Sequence, residues 1–168
     1  VGSAGLLTGV LATEFGLNIW LSVLIVLIFA ALVGFLNGVI VLRTGLPSFI
    51  VTLATFFVLR GANLALTKEI TGTVRVTNIE DAAGFDTLQP LVASKIAVGD
   101  ATFQVSIIWW ILVTIAATWL LTRTQFGNWI FASGGDKNAA RNAGVPVART
   151  KITLFMMSSV AAAFVGIM

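Results

Sequence analysis

Residues 15–42 read FGLNIWLSVLIVLIFAALVGFLNGVIVL, 28 positions without one charged side chain. A bilayer core about 30 Å thick is crossed by about 20 predominantly apolar helical residues. This stretch therefore predicts a membrane-spanning helix over 17–42, long enough to tilt or protrude. Trp20 sits near one end, where an interfacial aromatic is expected. Gly34 and Gly38 bracket GFLNG, a small-xxx-small pair that permits a neighbouring helix to approach closely. Asn37 lies beside them. It suits an interhelical hydrogen bond or a place on a solute path.

The rest of the chain agrees with a membrane setting. Its 168 residues are 58% hydrophobic and only 10% charged, with a mean hydropathy of +1.01. Soluble domains carry about 25% charged residues. The expected fold class is therefore all-α, a polytopic transmembrane helix bundle. The chain starts at Val1 and ends at Met168, both inside apolar runs. We read it as a single membrane-embedded domain, 1–168, truncated at both ends. Residues 1–13 predict a partial helix that Glu14 closes. Residues 43–47, RTGLP, predict a tight turn joining two antiparallel helices.

Residues 48–67 predict the next span. At 3.6 residues per turn, Ser48, Thr52, Thr55, Arg60, Asn63 and Thr67 fall within an arc of about 140°. Phe49, Phe56 and Leu59 share that arc. A polar stripe is poorly placed against lipid and faces other helices or a water-filled path. Arg60 is the one charge well inside a span. Snorkelling toward the interface, seven residues before the end of the span at Thr67, and lining the path both remain open for it. Residues 68–104 form a polar outer loop, long enough to predict short helices or a hairpin on the membrane surface. Residues 105–122 predict a further span, with Trp109 and Trp110 near its start and Trp119 near its end. A partial span, 152–168, closes the chain.

Between these last two spans lies RTQFGNWIFASGGDKNAARNAGVPVARTK, residues 123–151. It carries five basic side chains, Arg123, Lys137, Arg141, Arg149 and Lys151, against the single acid Asp136. The excess of Lys and Arg places it in the cytoplasm. Its centre predicts one very short helix: Gly134-Gly135 break what precedes, Asp136 caps the N-terminus, Gly144 occupies the position after the C-cap, and Pro146 stops continuation. A helix that short is marginal alone. Either it is a solvated basic loop, or it is a docking element for a partner at the inner face.

Several chemistries are excluded. With no Cys and no His, thiol chemistry, Cys/His metal sites and the commonest general base are absent. There is no Gly-Lys pair, so no P-loop. We assign no catalytic residue, no metal site and no cofactor of its own to this chain. Its carboxylates lie outside the predicted spans, where proton- or sodium-coupled carriers usually need them inside. What remains is a passive framework driven by a partner, a channel or facilitator, or a scaffold.

The stretch FLNGVIVLRTGLPSFIVTLATFFVLRG, 35–61, followed by RTQFGNWIFASGGDKNAARNAGVPVARTKI, 123–152, resembles the permease subunit of bacterial ABC importers for simple sugars, the ribose/xylose/galactose type. The related branched-chain amino acid permeases share the plan but match the GGDKNAARNAG block less well. Where that family usually has Asn after the two glycines, this chain has Asp136; either caps a helix. The resemblance implies a multi-pass protein of the bacterial inner membrane that imports a monosaccharide by alternating access. It implies that Gly134, Gly135, Asp136, Lys137, Asn138, Ala139, Ala140, Arg141 and Gly144 form a coupling helix seated on a separate ATP-binding cassette ATPase, which binds the ATP. A second permease subunit, an extracytoplasmic sugar-binding protein and membrane lipid are the other expected partners; nucleic acid is not one. Asn37, Thr52, Thr55, Arg60 and Asn63 are the expected path residues. Another small solute, such as a branched-chain amino acid, and a passive channel are the alternatives.

Overall fold

The computed structural model of the chain describes residues 1–71, 83–92, 94–98 and 101–168. The outer-loop charges Arg75, Glu80, Asp81 and Asp100 lie outside the described residues. Among the described residues there are eight helices and one hairpin: α1 Gly2–Thr13, α2 Ile19–Thr44, α3 Ser48–Thr71, α4 Phe85–Val92, β1 Lys95–Val98, β2 Ala101–Gln104, α5 Ser106–Arg123, α6 Gln125–Gly135, α7 Lys137–Asn142 and α8 Val147–Ile167. Four of them, α2, α3, α5 and α8, are long and apolar enough to cross a membrane. The described chain is thus a polytopic helix bundle with one small antiparallel hairpin, β1–β2, in which Lys95 faces Gln104.

The helix ends follow from local chemistry. The Asn18 side chain accepts from the Trp20 backbone N–H at 3.0 Å and starts α2. Gly45, at φ 69°, ends it in the left-handed conformation that a residue without Cβ adopts at no steric cost. α3 continues past the apolar span through Lys68 and Glu69 to Thr71. Those two residues are good helix formers, so hydropathy marks where the span loses its apolar character but not where the helix stops.

The most extensive helix pairing is α2 with α8, which run antiparallel. Small residues make it possible. A Cβ on Gly34 would lie 2.5 Å from the Phe155 carbonyl oxygen and 2.7 Å from Met156 Cα. A Cβ on Gly38 would lie 3.0 Å from Ile152 Cα. The expected close-packing face is therefore real, and α8 is what packs on it. Ala4, Val26, Ala30 and Ala163 form the buried apolar core where α1, α2 and α8 meet. Small side chains dominate this core because dispersion and close backbone approach hold membrane helices together.

At one end of the bundle α4 rests on the start of α2. The Trp20 indole N–H donates to Thr87 Oγ1 at 3.0 Å, and the Ile19 N–H donates to the Ala83 carbonyl at 3.0 Å. At the other end lie the turn at 45–47 and the pair α6–α7.

Reading 123–151 as a loop with one short helix is corrected by the structure. Gln125–Gly135 is itself a helix, and α8 already begins at Val147. Thr124 opens α6, its hydroxyl accepting from the Gly127 N–H at 3.2 Å. Gly127 is buried in the corner, where any Cβ would collide with the Leu121 carbonyl of α5. Gly134 and Gly135 are the last residues of α6, so they break what precedes α7, as their place in the sequence predicts. Pro146 stops nothing that was running on; it is the N-cap of α8, consistent with proline's tolerance at helix starts.

Candidate functional site

Two places combine chemistry with geometry. The first is a cavity of about 590 Å³ walled by α1, α2, α3 and α8. Asn37, Thr52, Thr55, Arg60 and Asn63 all line it. The 3.6-residue repeat of α3 delivers four of these to one face, and Asn37 meets them from α2.

The polar groups are partly committed to each other. Buried Asn37 accepts from the Thr55 hydroxyl at 2.6 Å, through Oδ1. That is the interhelical bond expected of it, made at the cavity wall. Asn63 Nδ2 donates to Ser3 Oγ of α1 at 2.8 Å. The Thr52 hydroxyl donates back to the Ser48 carbonyl at 2.9 Å, leaving its oxygen as an acceptor. Arg60 is exposed. With α3 ending at Thr71, Arg60 stands about 17 Å from that terminus at 1.5 Å per residue. The apolar span ends sooner, near Lys68, so this terminus lies beyond the interface, and both snorkelling and cavity lining stay open to Arg60.

Ser48 and Thr67, at the two ends of the predicted span, do not line the cavity. Thr67 is buried in the bundle. Sequence reasoning missed Ser3, Ser158 and Ser159, which do line it. The signal was present in FMMSSVAAA, 155–163, where two adjacent hydroxyls interrupt an apolar helix.

The second place is α7. Asp136 Oδ1 accepts from the Asn138 and Ala139 N–H groups at 2.8 and 3.2 Å, which satisfies two of the free donors at the helix start. At the other end Gly144 has φ 81°. Its N–H donates to the Arg141 carbonyl at 3.0 Å, and the Val145 N–H donates to the Ala140 carbonyl at 3.0 Å. This double closure is a Schellman motif, and the left-handed residue inside it favours glycine. A six-residue helix is thus held by caps at both ends. Ala140 is buried, as are Val147 and Thr150 of α8, the helix that α7 contacts. Lys137, Asn138, Ala139 and Arg141 remain exposed, as do Gly134 and Gly135 before the cap.

Asp136→Ala removes the acceptor for both donors. It should lower the local stability of α7 by about 0.5–2 kcal/mol. Faster hydrogen exchange at Asn138 and Ala139, with unchanged exchange in α2, is the expected readout.

Residues 1–168 match the family described as the branched-chain amino acid transport system / permease component. The chain belongs to that family. Its curated relatives include the fructose import permease protein of Rhizobium meliloti, 31% identical over 170 residues, covering 99% of this chain and 46% of the relative. The ribose import permease protein of Haemophilus influenzae is 32% identical over 171 residues, covering 99% of this chain and 50% of the relative. The galactose/methyl galactoside import permease protein of Salmonella typhimurium is 33% identical over 150 residues, covering 88% of this chain and 42% of the relative. The chain spans about half the length of the curated relatives it matches. No solved structure matches it significantly. The family and the four apolar helices together make this a multi-pass membrane protein and a permease-type transport chain.

Proposed function

We propose that this chain forms part of the translocation pathway for a monosaccharide in an ATP-driven importer of the bacterial inner membrane. The observation that carries the reading is the cavity itself. Four helices bring hydroxyl and amide groups together in a largely apolar bundle, with no acidic side chain among the described residues lining it. Hydroxyls and amides exchange hydrogen bonds with a sugar in both senses, as donors and as acceptors. The family description mentions branched-chain amino acids, but the relatives named above import sugars.

In this reading the energy enters at α7. The exposed Lys137, Asn138 and Arg141, with Gly134 and Gly135 before them, form the surface that seats on a separate ATP-binding cassette ATPase. ATP is bound there. When two ATPase subunits close, the two α7 helices of a permease pair are drawn together. Because α7 contacts α8, and α8 walls the cavity, that motion reaches the solute path. An extracytoplasmic sugar-binding protein supplies the solute at the opposite end, where α4 and the hairpin lie.

The test is uptake by the full-length permease, reconstituted with its ATPase and binding protein, across a panel of monosaccharides and branched-chain amino acids. A monosaccharide should be taken up and the amino acids should not. Asn63→Ala breaks the bond to Ser3 and should lower uptake several-fold at unchanged protein level. A decrease that merely follows the amount of protein would make Asn63 a packing residue.

A further inference from the structure

Arg60 is the only ionisable side chain among the described residues of α2, α3 and α8 that line the cavity. It lies near the middle of a 24-residue helix, on the face that lines the cavity. Thr52, Thr55, Asn63 and Asn37 supply neutral groups only, and no described lining residue offers a counter-charge. A guanidinium is a fixed, delocalised positive charge. A lone fixed cation in a partly water-filled cavity with apolar walls sets the sign of the potential there, because the surroundings screen it less than bulk water does.

We propose that Arg60 is the charge-selectivity determinant of this pathway, admitting neutral, hydroxyl-rich or anionic solutes and opposing cations. This rests on the reading of the cavity as the solute path and adds a reason for its preference. A sugar presents hydroxyl oxygens to the guanidinium donors. An amino acid zwitterion carries an ammonium group for which the described lining has no carboxylate.

The chain has no cysteine, which allows a test independent of any solute's identity. Phe56 lines the same cavity, is 52% exposed, and stands one helical turn before Arg60. Residues at that spacing are neighbours on a helix surface. Phe56→Cys is introduced into the assembled full-length transporter in membranes. It is reacted with a negatively and a positively charged thiol reagent of equal size, each rate divided by that of a free thiol in solution. With Arg60 present, the anionic reagent should be favoured by about tenfold or more, as expected for a unit charge one turn away and partly screened. Arg60→Gln should bring the ratio close to one, and Arg60→Lys should restore it. A ratio near one with native Arg60 overturns the proposal without recourse to any Arg60 variant, and so does failure of both reagents to reach the site. If the ratio is near one while monosaccharide uptake is intact, the charge assignment fails and the functional reading stands. Absence of monosaccharide uptake with the anion preference present overturns the functional reading instead.

Discussion

Gly34→Leu should leave almost no assembled protein in the membrane. The α2–α8 contact at this point is backbone against backbone. Even a Cβ would sit 2.5 Å from the Phe155 carbonyl oxygen, 2.7 Å from Met156 Cα and 2.8 Å from Ser159 Oγ. Of these only the serine hydroxyl rotates away; the carbonyl and the Cα belong to a continuous helix. Overpacking a tight interior typically costs about 1–3 kcal/mol, and the cost rises when backbone must move. Here the whole helix pair must separate, and with it the small-residue core of Ala30 and Ala163. Gly38→Leu should be milder, because its nearest atom, Ile152 Cα, is 3.0 Å from the added Cβ and the next is a side-chain carbon at 3.3 Å. Detergent-extracted protein measured by size-exclusion chromatography should fall in the order native, Gly38→Leu, Gly34→Leu. Equal yields for all three would show that the glycines are incidental.

Arg141→Glu should abolish coupling while leaving the permease folded. Arg141 is exposed on α7, and its side chain takes no part in the caps that hold the helix. The Asp136 bonds and the Gly144 closure use backbone groups and the Asp136 carboxylate alone. Reversing the charge therefore changes what the surface presents and leaves its shape. Across an interface, replacing a complementary charge by a like one costs several kcal/mol, enough to lower ATPase affinity by more than a hundredfold. ATPase co-purification and sugar-stimulated ATP hydrolysis should both be lost at normal permease yield. If both persist, α7 is a solvated basic helix and the coupling reading fails.

How much of this was legible beforehand depended on which physical signal was local. The spans were readable because hydropathy is a property of each segment. The capped α7 was readable because Asp136 and Gly144 mark its ends by short-range chemistry. The polar face of α3 was readable from periodicity, and the structure does bring Thr52, Thr55, Arg60 and Asn63 to one cavity. What escaped was non-local. Gln125–Gly135 carries three glycines that argue against a helix, and the buried fit of Gly127 against α5 is not visible in the local sequence. Likewise, nothing near Ser3 signals its bond to Asn63, which lies on a different helix. The extent of α3 was missed because hydropathy falls at Lys68 while helix propensity does not.

The central claim is that this chain supplies a path and no energy. The direct measurement is accumulation of a radiolabelled monosaccharide in proteoliposomes containing the full-length permease, its ATPase and its binding protein, with and without ATP on the ATPase side. The account predicts accumulation above the external concentration with ATP, and no uptake without it. Equilibration of the sugar in the absence of ATP would show a passive facilitator and contradict the account.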